Sequence, residues 1–290
     1  MRQSQLKAFH NVALHGGFSR AAEALLLSQP AISEQVRKLE QDYDVLLFLR
    51  ERKRVTLTPA GEQLYILTKQ YFDVEQQIEE YMSETRATVE GTLRIVADSA
   101  HHVTDILSRF RARYPRVFVT LSSGNTESVL EALRSYNAEI GVVGSPSPGN
   151  DLEVLDLGAT AIVAIAATGS VSRGKSSLSL AELSDMPLIF REPGSKTRQK
   201  IEAEADRQGV RLRPVIEVEG REAMREVVAS GAGIGFVSTA EFGNDDRLVK
   251  IPIDGVDITM TESLVYMGQR REVRVIRAFM EFATAQTGRA

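Results

Sequence analysis

Apolar residues recur at spacings of three and four through the first eighty positions, and in short unbroken bursts after that. Leu6, Phe9, Val12 and Ala13 mark one face of a first helix, stopped by Gly16-Gly17. Ala21, Ala22, Ala24 and Leu25 give small and apolar packing positions to a second, short helix that Ser19 can cap. Ile32, Val36 and Leu39 mark the inner face of a third. Ser28 is its expected cap, and Pro30 falls in its first turn, where a missing N–H costs nothing. Two β-prone runs follow, Leu46-Leu47-Phe48 and Val55-Thr56-Leu57, around Arg50, Arg52, Lys53 and Arg54. Pro59 then opens a long helical pattern. Along it Leu64, Leu67, Tyr71, Val74, Ile78 and Tyr81 form an a/d seam suited to pairing two subunits.

The pattern changes at Glu90-Gly91. The runs 92–97, 117–123, 138–144 and 160–167 are apolar and β-branched, with amphipathic helical stretches at 101–114 and 126–136. The alternation repeats from Leu188 to Val265, through LIFR, a helix near 197–208, PVIEVE, a helix near 221–230 and GIGFVS, and helical character returns at 271–285. Such alternation predicts an α/β domain with a mostly parallel sheet covered on both faces, in two lobes. The predicted domains are 1–58, a linker helix at 59–89, and a two-lobed body at 90–290. Lobe I covers about 90–160 and 267–290, and lobe II about 161–266. The stretch 170–180 reads as an exposed loop.

The outer face of the third helix carries Gln29, Ser33 and Arg37, side chains able to bond base edges and phosphates in a major groove. Helix, tight turn and second helix with that face make a helix-turn-helix, and the basic loop behind it reads as a wing lying against phosphates. The segment from Leu6 to about Leu64, including SQPAIS and the closing LTPAG, resembles the N-terminal domain of the LysR-type transcriptional regulators. The resemblance implies a winged helix-turn-helix, a dimerising linker helix and a two-lobed effector domain of periplasmic-binding-protein-like fold. It also implies promoter DNA as partner and a homodimer or tetramer. The expected DNA-binding residues are Ser28, Gln29, Pro30, Ser33, Arg37, Arg50, Arg52, Lys53 and Arg54. Glu34 stands where relatives often carry Arg or Gln; a carboxylate there either accepts from cytosine or faces solvent.

Charge agrees with this division. Residues 1–60 hold nine Lys and Arg against six Asp and Glu, while the rest holds 26 against 33. A basic head on an acidic body suits local phosphate contact. No run of ~18 apolar residues and no signal-peptide pattern occurs, so cytoplasm is the expected location. Zero Cys excludes a disulfide framework and thiol metal sites.

In an α/β sheet of this kind, ligands bind beyond the carboxyl ends of strands, at helix starts. Polar residues stand at four such points. Asp98, Ser99 and His101 follow the first strand, and Ser123, Asn125 and Thr126 the second. Glu192, Gly194, Ser195, Lys196 and Thr197 follow LIFR, and Glu219 precedes another helix. Each can also be a plain helix cap. Backbone amides and hydroxyls at 194–197, with Lys196 or Arg191 nearby, can hold a doubly charged anion, and Asp98, Glu192 or Glu219 an ammonium. The segments ADSAHH, SGNTE, FREPGSKTR and EGREAMREVVASGAGIGFVS are similar to those of LysR-type regulators associated with 2-aminoethylphosphonate catabolism. This resemblance implies that zwitterion, or a related catabolite, as effector.

Other chemistries are not expected. GSKT at 194–197 is not a phosphate-binding P-loop, because Ser195 precedes Lys196 and no Gly stands at 190 or 191. Adjacent helical residues diverge by ~100°, so His101 and His102 do not readily share a metal ion. With no catalytic constellation and no cofactor motif, an α/β enzyme is disfavoured; a constitutive DNA-binding protein without effector is the other alternative.

Overall fold

The computed structural model describes residues 1–51, 54–82, 88–145, 149–170 and 176–287. Contacts divide the chain into two compact units, Met1–Arg86 and Ala87–Ala290.

In the first unit, α1 (Gln3–His15), α2 (Phe18–Leu25) and α3 (Gln29–Tyr43) pack around Phe9, Val12, Ile32 and Val36. The antiparallel wing, β1 (Phe48–Glu51) and β2 (Arg54–Leu57), closes this core through Phe48, whose ring lies 5.3 Å from Phe9 and 5.7 Å from Phe18. Gly16 ends α1 in the left-handed region (φ 64°), where a side chain is disfavoured. Ser28 caps α3 by accepting from the Ala31 N–H. Two local expectations are corrected. Ser19 caps nothing, because α2 starts one residue before it, at Phe18 after Gly17. Ala24 faces solvent rather than the core.

Next comes α4 (Pro59–Met82). Thr58 ties its start to the wing by donating to the Leu46 carbonyl (2.7 Å) and accepting from the Gly61 N–H (3.0 Å). A Cβ on Gly61 would meet the Leu47 carbonyl oxygen at 2.2 Å, so this close approach needs glycine. Leu64, Tyr65 and Phe72 pack on the head, which removes Leu64 from the seam. Leu67, Tyr71, Val74, Ile78 and Tyr81 remain 43–78% exposed on another face. Among the described residues no helix is long and apolar enough to cross a membrane.

Among the described residues, the second unit is built on a seven-stranded sheet with two short two-stranded ones. β3 (Gly91–Ala97), α5 (His101–Arg113), β4 (Val117–Ser123), α6 (Thr126–Arg134) and β5 (Ile140–Gly144) form a parallel β4-β3-β5 array. β6 (Leu152–Ala167) is followed by β7 (Leu178–Ser179), α7 (Leu180–Ser184), β8 (Leu188–Arg191), α8 (Lys196–Arg207), β9 (Pro214–Val218) and α9 (Arg221–Ala229). Then come β10 (Gly235–Ser238), β11 (Leu248–Ile251), β12 (Ile253–Asp254), β13 (Thr259–Met267) and α10 (Arg274–Thr287). The sheet is mixed, correcting the mostly parallel expectation. β13 runs antiparallel to β5 and β6, and β10 and β11 antiparallel to β6.

β6 and β13 are the frame joining two cores. Lobe I buries Leu93, Ile95, Phe110 and Phe279 on one face and Val129, Leu133 and Val265 on the other. Lobe II buries Leu188, Phe190, Ile201 and Phe236, with Ile165, Met224 and Val228 opposite. The β6–β13 register shifts between Glu262 and Ser263, where β13 also begins pairing with β5. This irregularity puts a carboxylate, Glu262, inside the crossing.

Candidate functional site

On the head, burial of Ile32, Val36 and Leu39 turns the remaining face of α3 outward. Gln29 and Arg37 are exposed and Ser33 half-buried. Glu34 lies on that face and holds Arg37 (2.8 and 3.1 Å) and Lys38 (3.5 Å). The Arg37 hydrogen bond keeps the Glu34 carboxyl below its ordinary range. Arg37 must therefore exchange this carboxylate for any phosphate or base it meets. Arg54 is exposed in β2. Arg52, Lys53 and the side chain of Arg50 lie outside the described residues.

On the second unit, strand ends and helix starts of both lobes meet. Arg191, closing β8, is 6% exposed and donates to Asp98 Oδ1 after β3 (2.7 Å) and to Glu192 Oε1 (2.8 Å). Glu192 Oε2 accepts from the Gly220 N–H ahead of α9 (3.0 Å). Gly194 lies so close to Asn125 that a Cβ there would stand 2.5 Å from the amide nitrogen. The Asp98–Arg191 pair thus links lobe to lobe. Burial pushes the Asp98 carboxyl up, against the pull of Arg191.

The cap reading now separates the candidates. Asn125 is a cap, its side chain accepting from the Ser128 N–H (3.0 Å). Ser195 stands at the cap position of α8 but makes no cap bond, and Ser99, one residue before the cap of α5, makes none either. Among the described residues, seven buried polar side-chain atoms lack a hydrogen-bond partner within the chain. They are Ser99 Oγ, His102 Nε2, Thr126 Oγ1, Arg191 Nε, Ser195 Oγ, Arg221 Nε and Ser238 Oγ. Each lies within two residues of a strand's end or a helix's start. Such a group costs roughly 1–3 kcal/mol if left unanswered, and their concentration here points to a ligand. The space lined by Arg191, Ser195, Thr197, Phe190, Met224 and Phe236 measures about 10 Å³. That is room for about one water.

Several expected residues stand apart. His101, Ser123 and Glu219 are exposed, and the Lys196 ammonium reaches Gln199 (3.3 Å) at the surface. Asp98 and Glu192 are engaged by Arg191 within the chain. The residues not foreseen are Arg221, Ser238, Glu241 and Glu262. The His102 Nε2 lies 3.6 Å from Glu262 and 3.9 Å from Glu241, and Arg221 Nη1 lies 3.8 Å from Glu241. Burial lowers the His102 pKa. The available signal was a glutamate inside each of two apolar runs, VSTAEF and TESLVYM, since carboxylates are rarely buried without a partner.

Burial, with the charges of Glu241 and Asp98 and against those of Arg221 and Arg191, pushes the Glu262 carboxyl up to about 8. Glu262 therefore keeps a proton that the unfolded chain releases near its ordinary value of 4.5. The stabilisation from this group is complete below that value and is lost as pH rises through about 8, at up to ~1.4 kcal/mol per pH unit. Glu262→Gln, neutral at every pH, should flatten the fall in melting temperature across this window. A profile parallel to the parent's would assign the decline to another group.

Comparison with known proteins agrees with this geometry. Residues 3–62 match the model of the bacterial regulatory helix-turn-helix protein, lysR family, and residues 86–288 that of the LysR substrate binding domain. The chain is 31% identical to a RuBisCO operon transcriptional regulator of Allochromatium vinosum, over 98% of this chain and 96% of that one. In fold it is similar to full-length OxyR from Pseudomonas aeruginosa (TM-score 0.78, 21% identity, 97% of this chain and 94% of that one). It is likewise similar to CbnR complexed with its target DNA (TM-score 0.68, 20% identity, 98% and 99%). Helix-turn-helix, wing, long helix and two-lobed domain occur in the family's order: the chain belongs to the LysR family of DNA-binding transcriptional regulators, with an effector-binding domain.

Proposed function

We propose that the protein is a cytoplasmic homodimer, or dimer of dimers through α4, whose hold on promoter DNA is set by a small anion bound between its lobes. The proposed effector is 2-aminoethylphosphonate or a close catabolic relative. The observation that carries this reading is the set of unanswered buried donors at Ser99, Arg191, Ser195 and neighbouring strand ends. Hydroxyls, a guanidinium N–H and the start of α8 are what an anion needs, and charge-assisted bonds are roughly twice as strong as neutral ones. The mechanism is population shift. An effector that fits one lobe arrangement better than another favours it by that difference in affinity, and the paired heads follow.

Calorimetry of the full chain with 2-aminoethylphosphonate, inorganic phosphate and an uncharged amine tests the reading. The phosphonate should bind. Ser195→Ala with Thr197→Val should weaken it at least tenfold, since each lost bond to a charged group is worth ~1.5–3 kcal/mol. Operator binding should survive the change. Absence of binding by any anion at millimolar concentration would remove the proposal.

For the head, the proposed contacts are Gln29, Ser33 and Arg37 to bases and phosphates, with Ser28, Pro30 and Arg54 alongside. Gln29→Ala should cost ~1–3 kcal/mol on the operator and little on scrambled DNA, whereas Arg54→Ala should weaken both and reduce the salt slope by about one. Equal losses on both DNAs for Gln29→Ala would take base reading away from that residue.

A further inference from the structure

We propose that His102, Glu241 and Glu262 form a subsite for a primary ammonium, so that the effector is a zwitterion whose anionic end faces Ser195 and Arg191. The inference rests on the reading of the cleft as an anion site.

The three side chains come from different elements: α5, the segment after β10, and the crossing strand β13. Their side chains are 8%, 6% and 6% exposed, and their ligating atoms lie within 4.8 Å of one another. His102 Nε2 is aimed into the group and has no hydrogen-bond partner. Burial lowers its pKa, and the neutral imidazole accepts at Nε2 in the tautomer protonated on Nδ1. The cluster thus offers three acceptors and no donor once Glu262 is ionised. An ammonium carries three N–H donors and no acceptor, one for each.

Charge argues for a single positive group. Arg221 already answers Glu241 at 3.8 Å, and Arg191 is committed to Asp98 and Glu192. Glu262 then has no cation of its own and holds a proton instead, because a buried unpaired charge is costly; an ammonium takes that proton's place. A divalent ion would overshoot and sit beside a guanidinium. The separations of 3.6 and 3.9 Å from His102 also exceed the ~3.4 Å edges of a zinc tetrahedron with ~2.1 Å bonds. The cluster belongs to the same cleft as the anion groups. Asp98, bonded to Arg191, is close enough to feel the charge of Glu241, and Glu262 feels both Asp98 and Arg191.

The test compares two probes that differ only in the amine, 2-aminoethylphosphonate and ethylphosphonate, by calorimetry on the full chain. The parent should prefer the amine at least thirtyfold. Glu241→Gln with Glu262→Gln keeps side-chain volume and removes like charge, so the fold should hold, as a thermal melt would verify. This variant should bind both probes alike, near the parent's affinity for ethylphosphonate. Equal binding of both probes by the parent overturns the ammonium subsite while leaving the anion site standing. Failure of both probes overturns the anion reading and this inference with it. Micromolar binding of zinc or manganese alone, lost in the double variant, would make the cluster a metal site instead.

Discussion

Charging the exposed face of α4, through Leu67→Glu with Ile78→Glu, should convert the protein to monomers and cost most of its operator affinity. These two side chains are 58% and 59% exposed, in a stripe with Tyr71, Val74 and Tyr81 that nothing in the head covers. An apolar stripe on a 24-residue helix is stable in water when a second copy shields it. Each glutamate would place an unpaired charge against that partner, at several kcal/mol. Neither residue belongs to the head's core, so the head's fold should be unaffected. Two linked heads gain 10²–10⁴ in avidity, which sets the expected loss. Light scattering with operator titration reads both effects; a variant that stays dimeric would move the pairing surface elsewhere.

Arg191→Met should give the second large effect, in two parts. It strands the Asp98 carboxylate, 8% exposed, and breaking a buried pair in this way costs ~3–5 kcal/mol. For a unit of this size the melting temperature should fall on the order of 10 °C. Adding Asp98→Asn removes the stranded charge and should restore most of that loss. Anion binding should remain absent in both variants, because the guanidinium is gone. Recovery of stability without recovery of binding separates the ligand role from the structural one. A double variant that binds the phosphonate as the parent does would assign the anion to other groups.

How far the sequence could be read depended on whether an interaction was local. The head was legible because its signals lie within a turn or two: Gly16 as stop, Ser28 and Pro30 as start, Ile32, Val36 and Leu39 as inner face. The exception, Ser19, shows that a capping residue also needs the helix to begin beside it. In the second unit the strands up to β10 were largely legible, whereas β7, β11, β12 and the central β13 were not read as strands; nor was strand direction, because β6 and β13 pair across about a hundred residues. Half of β6 was missed as well, since 152–159 alternates apolar and polar where the rest is continuously apolar. Ser99, Asn125, Thr126, Ser195 and Thr197 stood out by following or opening regular elements. Glu241 and Glu262 did not, because their meaning depends on His102 and Arg221 arriving from other elements.

The most direct measurement is operator binding by the full chain, followed by fluorescence anisotropy while 2-aminoethylphosphonate is titrated, for the parent and for Ser195→Ala with Thr197→Val. The account predicts that the effector changes the parent's operator affinity or footprint at concentrations where it binds. It predicts that the variant binds operator normally and needs at least tenfold more effector for the same response. Operator binding indifferent to every small anion and zwitterion tried, in a protein that binds its promoter well, would contradict it.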